Sequence, residues 1–531
     1  MQTEATYIIR VNGGNIEAIN GADGTVFTSG LDARTVIQAA IGALGPTGGL
    51  IFIKRGTYDL SNSLDLADNV ILEGESAEAG EGTRLTSSTP KPLIKGVTNN
   101  LALRRLLFDN CADAFALALT GTQNAVIEQC HFSNCSSTFN IVTAITLSEC
   151  ANVRIVECSF RNIQGAAIQS SSSTLHPNPT IGVQVIRCLI DGAGLGSDPS
   201  GAADLHYAGI HLFNAADVLV DGNTVRNCGS IGIAVDTTIA PSFVRVVNNA
   251  VSNNDVNRVL GQGHGIYVAG NGIGDYVVGG NVVAGNGGNG IEVNSGNGNR
   301  VVVTGNAVRA NGSSAGEGYG FGIWVSFQNC VVSSNVVTEN FSSGIALGFA
   351  QNVKHLECHG NLVANNGQAN VGIDRFGSGI ALMTGDINDQ TVFDVDTLIQ
   401  DNLVYDDQSP VTQQKGIYLD VNADGVVIEG NRVHGNGTGT GAEQIVVPAN
   451  PNVKVRRNTG FVTENSGTAN GGRLITVRHG LDITPLASKI RVTALSNPGG
   501  AFWVSSVTST TFAISRAVAA PASFGWSYAQ N

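Results

Sequence analysis

Charged residues and proline are scarce in this chain of 531 residues. Charged residues make up 13% of it and proline contributes only 13 residues, while methionine occurs twice. Lys and Arg number 29 against 42 Asp and Glu, which gives a formal net charge of −13. Because nucleic acids and anionic membranes are bound chiefly through Lys and Arg, this balance argues against both as main partners.

Several familiar sequence signals are also missing. No stretch approaches 18 uncharged apolar residues, so we expect no membrane-spanning segment. The first residues lack a basic region followed by an apolar one, so we expect no conventional signal peptide. The sequence has no glycine-rich phosphate loop, zinc signature, EF-hand loop or calcium-binding nonapeptide. We therefore expect no metal site and no required cofactor; calcium is compatible with the acidic composition but is not indicated.

Glycine is abundant, with 68 residues, and two short phrases recur along the chain, of which the first begins with glycine. The first phrase is Gly-Ile-x-[Val/Leu], which begins at Gly209, Gly232, Gly265, Gly290, Gly322, Gly344, Gly379 and Gly416. The second is an Asn followed two residues later by Val, at Asn223, Asn249, Asn281, Asn306, Asn335, Asn361, Asn402 and Asn431. Two short strands in constant phase predict a solenoid whose coils stack strand on strand.

This repeat predicts an all-β fold, a right-handed parallel β-helix of about 12 coils in which stacked Asn side chains form an amide ladder. A β-propeller and a β-sandwich are the alternatives, but propeller blades repeat at about 40–50 residues. Sandwiches produce no constant turn ladder. We predict an N-terminal cap and first segment over 1–60, the β-helix over 61–460, a linker over 461–471 and a small C-terminal β module over 472–531.

The N-terminal residues predict a short capped helix after Asp32, followed by the strand Leu50 to Ile53. This arrangement resembles that of pectate-lyase-like and tailspike-like β-helix proteins, in which a short helix plugs the open first coil. The last 60 residues resemble the small β modules of phage tail fibres. The resemblance implies a protein of the extracellular space or of a virion surface, and a homotrimer as in many tail proteins.

The Gly-Ile-x-Val phrase also predicts which side chains face outward, since alternate residues of a strand point to opposite sides. Polar and aromatic outward residues concentrate between 211 and 324, and rung stacking would place residues 211, 236, 267 and 292 in one vertical strip. A solvated sheet face without function is the alternative interpretation. The candidate catalytic residues are His211, Asp236, His264, Tyr267 and Glu292. The candidate substrate-binding residues are Tyr207, Phe213, Arg258, Asn294 and Trp324.

Part of this region resembles the alginate (mannuronan) C5-epimerases. That family carries a Tyr-Gly-Phe-Asp-Pro-His motif, a second Asp one coil later and an Arg-His-Gly beyond it. Tyr207, Asp236 and His264 fall on matching positions, and the family's central Asp falls near His211. The family's Pro is absent here, and Gly263 stands where the family has Arg.

Chemistry on uronates requires removal of the C5 proton by a base whose pKa is near the working pH. His211 or His264 could be that base, Tyr267 could return a proton, and Arg258 could bind the carboxylate. Loss of the 4-O substituent would make a lyase, which we favour, and reprotonation at C5 would make an epimerase. Asp236 and Glu292 could instead serve an inverting glycoside hydrolase. The alternative from another class is a non-catalytic tail or surface protein that binds glycan on the same face.

Overall fold

The structure is a computed structural model, and it describes most of the chain. It covers residues 4–529 except for 79, 88, 112–114, 137–141, 172–176, 197–206, 238–241, 258–262, 271–273, 296–299, 314–319, 327, 349–353, 370–375, 384–392, 421–422, 438–443 and 449–451. The side chains of residues 295 and 393–395 are likewise not described. The chain divides into two compact units, residues 1–328 and 329–531.

The first unit begins with the predicted cap. The strands Tyr7–Asn12, Asn15–Asn20 and Val26–Gly30 pair in antiparallel fashion, and the helix Ala33–Ala43 follows. The Asp32 side chain accepts hydrogen bonds from the backbone N–H groups of Arg34 and Thr35, which stabilises the start of this helix. Among the described residues, no helix combines the length and apolar character needed to cross a membrane.

Three parallel sheets, which we name A, B and C, form the body of the first unit, as the sequence predicts. Sheet A contains Gly49–Ile53, Val70–Gly74, Ala102–Arg104, Gln123–Glu128, Ala151–Val156, Thr180–Ile186, Ala215–Ala216, Val218–Asp221, Ser242–Val247, Gly274–Gly279 and Arg300–Thr304. Sheet B contains Gly56–Asp59, Thr83–Ser87, Leu107–Cys111, His131–Cys135, Ser159–Ile163, Leu189–Asp191, Thr224–Arg226, Ala250–Ser252, Val282–Ala284 and Ala307–Arg309. Sheet C contains Leu64–Asp65, Ile94–Gly96, Leu117–Thr120, Ile145–Ser148, Ile168–Ser170, Ile210–Phe213, Ile233–Thr237, Ile266–Gly270, Ile291–Ser295 and Ile323–Ser326.

The second unit repeats the same order of strands. Its A strands are Cys330–Ser333, Leu356–His359, Phe393–Gln400, Ala423–Glu429 and Lys454–Arg456. Its B strands are Val336–Thr338, Leu362–Ala364, Leu403–Tyr405 and Arg432–His434, and its C strands are Ile345–Gly348, Ser378–Met383, Lys415–Leu419 and Ile445–Val446. Each strand pairs in parallel with its equivalent in the next coil of the unit. Every Gly-Ile-x-[Val/Leu] phrase thus lies in a C strand.

The predicted amide ladder lies at the turn between the A and B strands. Asn249, Asn281 and Asn306 are all buried, and the Nδ2 atoms of Asn249 and Asn281 each donate to the Oδ1 of the next Asn at 3.0 Å. Each Oδ1 also accepts the backbone N–H of the Asn in the preceding coil, so every amide satisfies a buried backbone donor. The ladder therefore sets the register between coils at a fixed point of the chain.

A second amide ladder follows five residues after the first, at the other end of each B strand. Asn254 donates to the Oδ1 of Asn286 at 2.8 Å, and Asn286 donates to that of Asn311 at 2.8 Å. In the second unit, Asn340 donates to the Oδ1 of Asn366 at 2.9 Å. Short B strands are thus held at both ends.

In the first coils, cysteine side chains replace the amides, and aromatic rings fill the core beside them. All nine cysteines are buried free thiols, and Cys130, Cys158 and Cys188 occupy the position that Asn223 takes next. Inside the same coils, stacked rings fill the core with centroids 4.8 Å apart; these belong to Phe108, Phe132 and Phe160.

The C-terminal residues form two three-stranded antiparallel sheets. One contains Glu464–Gly471, Ala522–Ala529 and Arg491–Ala494, and the other contains Leu474–Arg478, Thr511–Arg516 and Phe502–Val507. The predicted linker 461–471 thus includes a strand, because the backbone of its Gly- and Asn-rich sequence pairs with residues 522–529. Trp526 lies in the module's core at 6% exposure, whereas Trp503 is 52% exposed.

We expect Asn281→Ala to lower the free energy of unfolding by about 3 kcal/mol, because it leaves the backbone N–H of Asn249 and the carbonyl of Val246 without partners in the core. Chemical denaturation would measure the loss. The matched control is Asn470→Ala, which removes the same amide from an exposed strand position. Equal effects of the two substitutions would show that the ladder contributes nothing specific.

Candidate active site

The outer face of sheet C carries the predicted site residues in two adjacent columns. The parallel register aligns successive strands residue by residue, so aligned positions stack about 4.8 Å apart. The first column contains Gln169, His211, Ala234, Tyr267, Glu292 and Trp324. The second contains Phe213, Asp236, Ala269, Asn294 and Ser326.

The single vertical strip that the sequence predicts is therefore split. His211, Tyr267 and Glu292 share a column, but Asp236 aligns with Phe213 rather than with His211. The reason is the position in the repeated phrase: Asp236 follows the Val, whereas His211, Tyr267 and Glu292 come directly before the Val or Leu of their own phrases. This difference of two residues shifts a side chain by about 7 Å along the strand. Asp236 and Tyr267 are consequently diagonal neighbours, one rung apart.

A buried polar network lies at one side of the first column. The backbone N–H of Asn289 donates to Nδ1 of His264 at 3.1 Å, so the proton of a neutral imidazole resides on Nε2. That Nε2 lies 3.3 Å from Oε2 of Glu292, and His264 and Glu292 are 3% and 4% exposed. Both ring nitrogens of His264 are thus used within the protein, and His264 orients Glu292.

Asn289, which the sequence does not single out, holds this network together. Its Nδ2 donates to Oε2 of Glu292 at 2.8 Å, and its Oδ1 accepts the backbone N–H groups of Gly320 and Phe321 at 2.8 and 2.9 Å. The Asn289 side chain is fully buried. Each of its polar atoms is therefore needed by a partner that would otherwise lie unpaired in the interior.

Tyr267 stands at the centre of the site. Its ring packs against the small residues Ala208 and Ala234 and stacks on the His264 ring with centroids 5.9 Å apart. Burial, followed by the nearby carboxylates of Glu292 and Asp236, raises the pKa of Tyr267 to about 12. The phenol therefore keeps its proton at neutral pH and can donate it.

Asp236 is the titratable group best suited to accept a proton. Burial raises the pKa of its carboxyl above the ordinary value of 3.8. Among the described residues, which do not include Arg258, burial is the cause of that shift, and Asp236 is only half-buried, so it can be reached from solvent. Asp236 thus combines access with a basicity above that of an ordinary aspartate.

Exposure divides the predicted residues into two groups. Phe213, Asp236, Tyr267, Asn294 and Trp324 are half-buried and can be reached from solvent. The other group is buried, with no more than 4% exposure, and lies beneath the accessible residues; it contains Tyr207, His211, His264 and Glu292. Arg258 lies outside the described residues.

Comparison with known proteins supports the fold. The family model described as right-handed beta helix region matches residues 62–197 and 182–308. A tailspike protein mutant of E. coli bacteriophage HK620, solved with a pentasaccharide, is 15% identical with a TM-score of 0.51 over 96% of this chain and 92% of that chain. The chain is a right-handed parallel β-helix protein. The A-module of the Azotobacter vinelandii mannuronan C-5 epimerase AlgE4 is also 15% identical, with a TM-score of 0.45 over 80% of this chain and 96% of that one.

No curated protein sequence matches this β-helix protein. At 15% identity the likeness to the tailspike protein shows the fold alone, so the roles of individual residues must come from the geometry of this chain. In the part that the structure describes, no group of three or more His, Cys, Asp or Glu side chains is arranged to hold a metal ion.

One sequence signal could have revealed the buried network of this β-helix protein. His264 and Asn289 occupy the same place, directly before Gly265 and Gly290 of the repeated phrase. In the other phrases of the first unit that place holds Ala208, Ile231 or Phe321, which are apolar. Two polar residues in a slot that is apolar in neighbouring coils indicate a local polar structure, and reading this slot by coil would have identified both.

We expect Asn289→Ala to lower the free energy of unfolding by about 3 kcal/mol, since it leaves Glu292 and two backbone N–H groups short of partners. The matched control is Asn294→Ala in the next strand. Asn294 is half-buried and its amide contacts Glu292 at only 3.5 Å, so its removal should cost under about 1 kcal/mol. Thermal denaturation of both variants measures the difference, and a larger loss for Asn294→Ala would contradict this role of Asn289.

Proposed function

We propose that the protein is a polysaccharide lyase that cleaves a uronate-containing chain by β-elimination on the outer face of sheet C. The observation that supports this most strongly is the pairing of a half-buried carboxyl of raised pKa, Asp236, with a protonated phenol, Tyr267. The register places their backbones about 8 Å apart, one rung and two residues from each other. A base and an acid at this separation can act on the two sides of one sugar bond.

In the proposed reaction, Asp236 removes the proton from C5 of the uronate. The electron pair of that C–H bond forms a double bond between C4 and C5, and the bond between C4 and its oxygen breaks. Tyr267 donates its phenolic proton to the departing oxygen, which leaves as a hydroxyl group of the other fragment. Asp236 then releases its proton to water and Tyr267 takes one up from water, which restores both groups, and the chemistry needs no cofactor.

The uronate carboxylate must be neutralised for C5 to become acidic. Asn294 lies directly along the second column from Asp236, and its Oδ1 accepts the Ser326 hydroxyl at 2.9 Å. This contact fixes the orientation of the Asn294 amide. Its Nδ2, which otherwise has a long contact of 3.5 Å with Glu292, is then available to donate to a substrate carboxylate. Arg258 remains a proposed second donor, and Phe213 and Trp324 are proposed stacking platforms for neighbouring sugars.

Two other reactions were open from the sequence. An epimerase would use the same two residues but return a proton to C5 instead of breaking the C4 bond. An inverting hydrolase would need two carboxyl groups about 6.5–9.5 Å apart. The backbones of Asp236 and Glu292 are two rungs and two residues apart, about 12 Å, and Glu292 is engaged by Asn289, so this geometry favours elimination over hydrolysis.

Where the protein works is part of the same proposal. The HK620 tailspike, a protein of this fold, was solved with a pentasaccharide. A long sheet face with polar and aromatic side chains suits a polysaccharide outside cells, either in the extracellular space or at a virion surface. A homotrimer is the assembly we propose with it.

Incubation with a panel of uronate polysaccharides, such as alginate, polygalacturonate and hyaluronan, tests the proposed reaction. Elimination creates an unsaturated uronide, which is detected by its ultraviolet absorbance. We expect Asp236→Asn and Tyr267→Phe each to lower kcat by at least about 100-fold. The matched control is Tyr418→Phe, which removes a phenol from the same outward position of another coil and should leave the rate unchanged.

The same assay separates the alternatives. Reducing ends without the ultraviolet signal would contradict elimination and indicate hydrolysis. Exchange of the C5 proton with solvent deuterium, without cleavage, would indicate epimerisation. Glycan binding without any of these changes would contradict catalysis and indicate a binding protein.

The pH dependence of kcat/KM should show the basicity of Asp236. The base must be deprotonated, so activity should rise with pH through the raised pKa of Asp236, with a midpoint above 3.8. No fall due to Tyr267 should appear until the pH approaches its pKa of about 12. An ascending limb at or below the ordinary aspartate value would contradict the assignment of Asp236 as the base.

A further inference from the structure

The outer face of sheet B carries a groove that the proposed reaction does not use. Two adjoining clefts, of about 690 and 630 Å³, lie along this face in the first unit. They share Arg161 and Asn162, so they form one groove with Arg161 at its middle. The groove extends from the strand Gly56–Asp59 to Asn227, six rung spacings or about 29 Å, which is long enough for several sugar units.

Arg161 belongs to a column of charged residues along this groove. The parallel register aligns Asp109, Ser133, Arg161, Asp191 and Arg226 in that order. Each of the two carboxylates has another arginine as its partner.

The first carboxylate, Asp109, lies 2.8 Å from the Arg84 guanidinium and also accepts the hydroxyl of Ser133. The second, Asp191, lies 2.8 Å from the Arg226 guanidinium and accepts the amide of Asn227. Among the described residues, no carboxylate forms an ion pair with Arg161, whose side chain is exposed. Among the described residues, Arg161 is thus a guanidinium in the groove without an ion-paired carboxylate of its own; its positive charge still acts on the nearby carboxylate of Asp191.

The remaining groups near Arg161 are neutral hydrogen-bonding groups. Burial, and then the positive charge of Arg161, lower the pKa of His131, so this imidazole is neutral at neutral pH. Its Nδ1 contacts the Ser159 hydroxyl. Asn162 donates to the Oδ1 of Asn134 at 3.2 Å, so the amides beside Arg161 are held in place.

We propose that this groove is a second binding site, separate from the residues of sheet C, which takes an acidic saccharide and pairs one of its carboxylates with Arg161. The lining of this long open groove includes amides, hydroxyls and glycines, which can contact the many hydroxyl groups of a sugar chain, together with the paired charges of Arg84 and Asp109 and the carboxylate of Glu81. The Arg161 guanidinium, which has no ion-paired carboxylate of its own, favours an acidic chain over a neutral one, because it can donate two parallel hydrogen bonds to a carboxylate. The choice of an acidic saccharide as the ligand class rests on the proposed function.

Affinity electrophoresis of the full chain in gels containing an acidic polysaccharide tests this site. All variants carry Tyr267→Phe in addition, so that the polysaccharide is not consumed. Arg161→Ala should weaken retardation by at least about tenfold, and Arg161→Lys should restore part of it. The matched control is Arg309→Ala, an exposed arginine in the same column five rungs further along, which should change retardation by less than about twofold.

The outcomes distinguish this proposal from the proposed function. Equal losses for Arg161→Ala and Arg309→Ala would overturn the site, because they would show a general charge effect. Equal retardation of the parent and Arg161→Ala in gels of acidic polysaccharide would also overturn it. Binding that depends on Arg161 in a protein that produces no unsaturated uronide would support the groove and contradict the lyase. Thermal denaturation of Arg161→Ala should match that of the parent, since the side chain is exposed.

Discussion

The in-register stacking of coils is the constraint on which the rest of the structure depends. Buried amides at both ends of the B strands donate to the equivalent amides of the next coil and accept the backbone N–H groups of the preceding coil. An amide displaced by one residue would leave these donors unpaired in the interior. The ladders therefore fix where each coil starts, and every side chain outside the turns inherits its neighbours from that register.

Stacking also explains how a small group of polar residues becomes a site. Asp236, Tyr267 and Asn294 are separated along the chain by about one coil each, yet the register brings them to adjacent positions on one face. The small residue Ala234 leaves room beside the Tyr267 ring. The His264 ring, which is paired with the buried Glu292, stacks on the Tyr267 ring. The same rule brings Arg161 between two carboxylates that are already paired, on a different sheet.

Much of the fold could be predicted from the sequence, because a ladder needs one residue type at one place in every coil. The capping helix, the parallel strands and the turn at Asn281 follow from such local patterns. The second ladder was equally visible, since Asn254 and Asn286 each follow a first-ladder Asn by five residues. The strand Glu464–Gly471 could not be predicted in this way, because its Gly- and Asn-rich sequence has no apolar alternation and Thr468 as its one β-branched residue. Its pairing with residues 522–529 makes it a strand.

The sequence predicts which side chains of sheet C face outward, but not how deeply each of them is buried. Alternation identified the outward positions of sheet C, but it could not tell that His211 and Glu292 are buried while Asp236 is half-buried, since burial depends on neighbouring segments.

The central claim is that Asp236 and Tyr267 face one sugar from two sides. A crystal structure of the Tyr267→Phe variant with a uronate oligosaccharide tests it most directly. The account predicts that the Asp236 carboxylate lies within hydrogen-bonding distance of C5 and that the ring of residue 267 faces the oxygen on C4. A saccharide bound on this face with C5 directed away from Asp236, or bound only elsewhere on the chain, would contradict it.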